Sequence, residues 1–195
     1  MTRRTFIGRS AAIAATVGAG AVYAPAVIAQ PKVRWRMPTT WPASLDVLQG
    51  AALRFARLVE DMSAGRLTIE VAPAGQIMPA LGVFDACSQG TVESFMGASY
   101  YWEKKEPATQ WFCTVPFGMN PQGMQAWYFA GEGLKLWEET YAPFDLVPRP
   151  GGCTGVQMGG WFRKQINTID DFKGLKMRIP GLGGKVMAKA GATVV

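Results

Sequence analysis

Lys32-Val33-Arg34-Trp35-Arg36-Met37, the stretch from Ser44 to Met62, and Leu67-Thr68-Ile69-Glu70-Val71 decide the fold between them. The first and third alternate apolar with polar residues, the period of a strand, and Val33, Trp35 and Met37 share one face. In the middle stretch Leu45, Leu48, Ala52, Phe55, Leu58, Val59 and Met62 recur at steps of three and four, the period of an amphipathic helix. Ser44 is placed to cap that helix and Gly65 to end it. Pro79 to Ser88 reads as a short helix closed by Gly90, and Val92 to Met96 as another strand. Strand, helix, strand, helix, strand is the rhythm of an α/β fold with parallel pairing. Ligands of such sheets lie beyond the carboxyl ends of the strands, here on loops such as Thr39-Trp41 and Ser99-Trp102.

Outward from this unit, Pro121 opens a long helical stretch to Tyr141, with Trp127, Leu134, Trp137 and Tyr141 as packing residues. Pro143, Pro148, Pro150 and Gly151-Gly152 then break the pattern and mark a lobe boundary or hinge. Val156 to Phe162 is strand-like, Asn167 to Phe172 a capped turn, and Leu175 to Ile179 a strand stopped by Pro180-Gly181. Lys185 to Ala190 is helical, and Ala192 to Val195 reads as a strand with no neighbour left to pair with. The expectation is therefore the front part of a longer protein.

At the other end, Met1 to Ile7 sets a charged head before an uncharged Ala-, Gly- and Val-rich run from Ser10 to Gln30. The run is weakly hydrophobic and broken by Pro25, which favours a removable signal over an anchor. Val27-Ile28-Ala29 offers a small-x-small cleavage site, so residues 1–29 are the expected signal. Arg3-Arg4-Thr5-Phe6 resembles a twin-arginine signal, with an ordinary secretory signal as the alternative; either leads to the periplasm or cell exterior.

Composition excludes several function classes. Apolar residues make up 49 %, enough for a real core. The formal charge is +6, but without Arg3, Arg4 and Arg9 the count is 17 bases against 14 acids, scattered rather than striped. That argues against a nucleic-acid partner. There is no histidine, which removes the usual Ser-His-Asp and Cys-His engines and the commonest zinc ligand. Cys87, Cys113 and Cys153 show no metal spacing; buried thiols are expected, with a single disulfide as the alternative. Gly159-Gly160 and Gly181-x-Gly183-Gly184 lack the Gly-Lys-Ser/Thr ending of a phosphate loop. Asp170-Asp171 and Glu138-Glu139 are adjacent acid pairs that a histidine-free secreted enzyme of this fold class could use, but both read as solvated helix surface.

Gly155-Val156-Gln157-Met158-Gly159-Gly160-Trp161-Phe162-Arg163, followed by Asn167-Thr168 and Lys173-Gly174-Leu175-Lys176-Met177-Arg178-Ile179-Pro180-Gly181, resembles a known family. The similarity is to the DctP-type solute-binding proteins of TRAP (tripartite ATP-independent periplasmic) transporters, nearest the branch that takes 2-oxo acids such as pyruvate. Thr40-Trp41-Pro42-x-Ser44-Leu45-Asp46, Ala74-Gly75, Gly90-Thr91-Val92-Glu93 and Tyr100-Tyr101-Trp102 extend it over nearly the whole chain. The resemblance implies a periplasmic-binding-protein-like fold of two α/β lobes joined by a hinge, closing on a small organic carboxylate. On that plan residues 30–150 form the first lobe and 151–195 the hinge and the start of a second lobe, incomplete here along with the C-terminal region. It implies transport without a catalysed reaction, delivery to TRAP membrane subunits, and room for a homodimer of the whole protein. A non-functional fragment is the remaining alternative.

The same resemblance assigns the site. Arg178 matches the arginine that grips the ligand carboxylate. Gln157 matches a glutamine that meets both ligand and a bound sodium (or calcium) ion, with the other ion ligands expected beyond Val195. Tyr101 and Trp41 match loop residues of the pocket wall. Where this branch often carries Asn before Thr-Gly-Val-Gln, the chain has Cys153. The residue chemistry agrees: a guanidinium offers parallel donors that fit a carboxylate in two-pronged fashion. An amide can accept with its oxygen and donate with its nitrogen, and oxygen ligands suit hard cations. From strand context alone, a surface arginine paired with an acid and a hydrogen-bonded strand glutamine are the competing readings.

Overall fold

The computed structural model describes residues 31–195; the export signal expected over 1–29 lies outside the described residues. Strand β1 (Val33–Pro38) pairs in parallel with β2 (Leu67–Ala72), Val33 opposite Leu67 and Pro38 opposite Ala72. Helix α1 (Asp46–Met62) is the crossover between them. A parallel bridge joins Thr39 to Met96, and the Ser94 and Met96 amides donate to the Arg36 and Pro38 carbonyls at 3.4 and 3.1 Å. The expected third strand over 92–96 is thus present as an irregular neighbour of β1 rather than a full ladder.

Helix α1 differs from its sequence pattern in two respects. Ser44 does not cap it: Leu45 holds that position and makes no side-chain cap. The face in contact is also narrower than the apolar stripe. Gln49, Ala52 and Ala56 are buried, while Phe55, Leu58 and Met62 are exposed. Small side chains let the helix approach the sheet, and Thr39 Oγ1 donates to Gln49 Oε1 at 2.7 Å, fastening it to the end of β1. Gly65 does end the helix, at φ +72°, its amide donating to the Glu60 carbonyl at 2.8 Å.

The main core lies between α2 (Val83–Ser88), the 3₁₀ turns Ser99–Trp102 and Pro107–Phe112, and the helices α3 (Pro121–Ala130) and α4 (Gly133–Tyr141). It is built from Val83, Phe84, Trp102, Phe112, Tyr128, Trp137, Tyr141 and Leu146. Phe112 stacks on Trp127 and Trp137 with centroids 5.8 and 5.5 Å away. The single helix expected from Pro121 to Tyr141 is two helices. A Cβ on Gly133 would stand 2.5 Å from the Trp127 indole, so the chain turns at Gly131-Glu132 to bring that backbone against the ring.

Beyond the core, residues 156–162 are not a strand. Among the described residues no backbone–backbone hydrogen bond joins 147–167 to another segment, and Val156, Met158 and Trp161 are exposed. Alternation without a partner edge does not make a strand. Strand β3 (Lys176–Met177) does have a partner: β4 (Thr193–Val194) pairs with it in parallel, correcting the expectation of an unpartnered run. Helix α5 (Gly181–Lys189) crosses between them, and a Cβ on Gly184 would sit 2.5 Å from the Ile179 carbonyl oxygen, so only glycine permits this approach. Buried thiols are also corrected in part: all three cysteines are free, Cys87 and Cys113 half-buried and Cys153 exposed. No helix among the described residues is long and apolar enough to cross a membrane.

The turn before β3 carries a prediction. The Asp171 carboxylate accepts from the Asn167 and Thr168 amides at 3.0 and 2.9 Å and from the Thr168 hydroxyl at 3.1 Å. These donors favour the charged form and hold its carboxyl below the usual carboxylate range. A depressed folded-state pKa means the contribution is complete above the ordinary value and is lost as pH falls through the lowered one. The Asn167 and Thr168 amide resonances should therefore shift together only below about pH 4. Asp171→Asn should abolish that titration.

Candidate functional site

Arg178 follows directly on β3, at the carboxyl end of a parallel pair, where main-chain hydrogen bonding stops and side chains face outward. Its guanidinium is exposed, and among the described residues it makes no ion pair with any acid. The competing reading of an arginine neutralised by a neighbouring carboxylate is therefore set aside. Its Nη2 reaches the Tyr101 hydroxyl at 3.5 Å, a long contact that leaves most of the donor fork unused.

Tyr101 is half-buried on the Ser99–Trp102 turn, edge-on to Tyr100 with centroids 4.9 Å apart and to Trp102 at 6.1 Å. Burial raises the Tyr100 phenol well above its ordinary value, with Cys113 and Tyr101 adding to the shift and the Arg178 charge opposing it. Arg178 thus stands beside the Tyr101 hydroxyl and near the neutral Tyr100 phenol, and supplies positive charge there.

What seats Arg178 against this turn has no local signature. Gly181, at φ +62°, lies so close to Tyr100 that a Cβ would meet the Tyr100 Cβ at 3.0 Å. Lys185 on α5 pairs with Glu103, just past the turn, at 3.0 Å. Gly183 brings the helix against Ile179 and the Pro116 ring. Two glycines and one ion pair, drawn from segments about 80 positions apart, fix the spacing between arginine and tyrosines.

The other two expected residues are not drawn into this cluster. Gln157 is exposed and its Nε2 donates to Thr154 Oγ1 at 2.8 Å. That bond orients the amide and leaves Oε1 without a partner among the described residues, an oxygen suited to a hard cation. No group of three or more acids or cysteines among the described residues adds further metal ligands. Trp41 is 8 % exposed, and its carbonyl accepts from the Ala74 amide at 2.8 Å and from Thr39 Oγ1 at 3.2 Å. It lies three residues past the end of β1 as a packed residue.

Residues 38–195 match the family described as DctP, bacterial extracellular solute-binding protein, family 7. The chain belongs to that family. It is 48 % identical over 164 residues to a monocarboxylate 2-oxoacid-binding periplasmic protein of Nostoc sp. (strain PCC 7120), covering 84 % of this chain and 45 % of the relative. Among solved structures it resembles a TRAP periplasmic solute-binding protein of Pseudoalteromonas atlantica T6c with bound sodium and pyruvate, at 48 % identity and TM-score 0.79, over 84 % of this chain and 50 % of that one. A Colwellia psychrerythraea counterpart with bound calcium and pyruvate gives 44 % and 0.79, over 84 % and 50 %. The protein of Bordetella bronchiseptica RB50, with calcium and picolinate, gives 39 % and 0.81, over 85 % and 49 %. The fold class expected from sequence is that of these TRAP periplasmic binding proteins, and the chain spans about half the length of the relatives it matches.

Proposed function

We propose that this DctP-family chain carries the carboxylate-gripping part of a periplasmic solute-binding protein that captures a small 2-oxo acid for a TRAP transporter. Residues 30–150 serve as the first lobe and 151–195 as the hinge and the start of the second, with 1–29 directing export. The observation that carries the reading is Arg178: an exposed guanidinium at a strand's carboxyl end, free of acids among the described residues and flanked by the Tyr101 hydroxyl. An organic anion meeting it gains two charge-assisted hydrogen bonds, each contributing about 1.5–3 kcal/mol.

Gln157 supplies Oε1 to a sodium or calcium ion, the ions bound along with pyruvate in two of the similar structures. An ion there would offset the ligand's negative charge opposite Arg178. Tyr101 donates or accepts at the ligand's edge, and Trp41 supports the wall from behind. Lobe closure on the bound acid, with no bond made or broken, is the signal read by the membrane subunits.

The test is a chimera in which residues 38–195 replace the matching part of the Nostoc protein. Calorimetric titration with pyruvate should show saturable binding that weakens when sodium and calcium are removed. A cooperatively melting chimera that binds none of pyruvate, lactate or 2-oxobutyrate would contradict the proposal.

A further inference from the structure

Residues 168–195 bond chiefly to one another. The Thr193 and Val195 amides donate to the Leu175 and Met177 carbonyls at 2.8 and 3.0 Å, closing β3 and β4 around α5. Among the described residues no backbone–backbone hydrogen bond joins 168–195 to residues 32–150. The 147–167 stretch that connects them has none to either side. A unit attached in this way can move as a body unless side chains hold it.

Side chains do hold it, against residues 100–116. Gly181 packs on Tyr100 and Gly183 faces the Pro116 ring, contacts of shape alone. Arg178 Nη2 meets the Tyr101 hydroxyl at 3.5 Å, too long to fasten anything. The strong contact is ionic: Lys185 Nζ lies 3.0 Å from Glu103 Oε2. The Glu103 side chain is only 25 % exposed. Its Oε2 is sealed from water and has no hydrogen bond of ordinary geometry among the described residues. Lys105, two positions on, is engaged by Asp85 at 2.7 Å, so the counter-charge of Glu103 comes from Lys185. A carboxylate oxygen held out of water is costly without such a charge. The pair therefore favours the docked arrangement, and undocking returns the carboxylate to solvent.

We infer that Lys185 and Glu103 form an electrostatic latch between the two lobes, which keeps Arg178 beside Tyr101 and sets how slowly a captured acid escapes. The inference rests on the lobe and carboxylate reading above. Lys185 and Glu103 are positioning residues: they act on the acid through the docking of Arg178. Their effect falls on dissociation, because the acid is met while the lobes stand apart and the pair forms as they shut.

Two measurements test it. In the unaltered 195-residue chain a water-soluble carbodiimide should turn the ion pair into an amide. It activates the Glu103 carboxyl, the Lys185 amine attacks, and the reagent leaves as its urea with the water that amide formation releases. Peptide mapping should find this link beside the local one between Asp170 and Lys173, which pair at 2.7 Å. The local link without the long-range one would overturn the latch. In the chimera, stopped-flow release of pyruvate reads the function. Glu103→Gln and Lys185→Gln should each speed release about three- to tenfold, more than for a fully exposed pair because Oε2 is sealed. The double change should cost no more than either single one. Glu103→Lys combined with Lys185→Glu should recover most of the slow release, a rescue that a mere packing defect would not give. Salt should speed release from the unaltered chimera and hardly alter the double variant. Additive effects, or release indifferent to all four variants, would overturn the latch while pyruvate binding stands. A chimera that melts cooperatively yet binds none of the acids would overturn the carboxylate reading, and the latch with it.

Discussion

Replacing Arg178 by alanine in the chimera should weaken pyruvate binding by about a hundredfold to ten-thousandfold, the loss of two charge-assisted hydrogen bonds. Removal costs more than a surface substitution because the ligand carboxylate, once enclosed between lobes, has no water to replace the lost donors. Arg178→Lys should recover only part of the affinity, since an ammonium restores charge without the fixed fork. Folding should be nearly unaffected, because the side chain is exposed and, among the described residues, its hydrogen bonding is limited to the long approach to Tyr101. Equal affinities for the three proteins by calorimetry would show that another group grips the acid.

The second large effect concerns stability. Phe84 is fully buried and touches four rings: Phe95 at 6.1 Å, Trp102 at 5.2 Å, Tyr141 at 5.7 Å and Phe144 at 5.1 Å between centroids. Its outer side is covered by Lys105, whose Nζ lies 5.9 Å from the ring centre and pairs with Asp85 at 2.7 Å. Phe84→Ala removes the hub that joins α2, the Ser99–Trp102 turn and the chain after α4. The interlocked rings cannot collapse into the space left. The expected cost is about 3–5 kcal/mol, read as a lower denaturant midpoint. A loss below about 1 kcal/mol would mean that the aromatic cluster is not the centre of the core.

The parts of the fold that sequence could reveal are those whose period is met by a neighbour. The alternation over 33–37 and 67–71 has a parallel partner, and the structure holds two strands there. Val156 to Phe162 carries a similar pattern and forms no strand, because pairing depends on what lies beside it. The apolar stripe of α1 named Ala52, Phe55 and Leu58; Ala52 is buried as expected, but Gln49 and Ala56 join it while Phe55 and Leu58 stay exposed, since close approach to the sheet favours small side chains. The split at Gly131-Glu132 follows from one indole against one glycine, a tertiary contact with no local signature.

The site divides along the same line. From strand context alone Arg178 reads as a surface arginine paired with an acid, and only the family resemblance points it at a carboxylate; Tyr101 reads as a loop aromatic. Neither their juxtaposition nor the Lys185–Glu103 pair that secures it could be read from positions so far apart. Among the described residues no hydrogen bond or ion pair links Gln157 or Trp41 to the arginine; the Gln157 amide donates to Thr154, and Trp41 is buried just past β1.

The most direct measurement is a crystal structure of the chimera grown with pyruvate and sodium. Both guanidinium donors of Arg178 should lie within hydrogen-bonding distance of the pyruvate carboxylate, with Gln157 Oε1 coordinating the ion. Pyruvate held elsewhere, with the Arg178 side chain still extended into solvent beside Tyr101, would contradict the account.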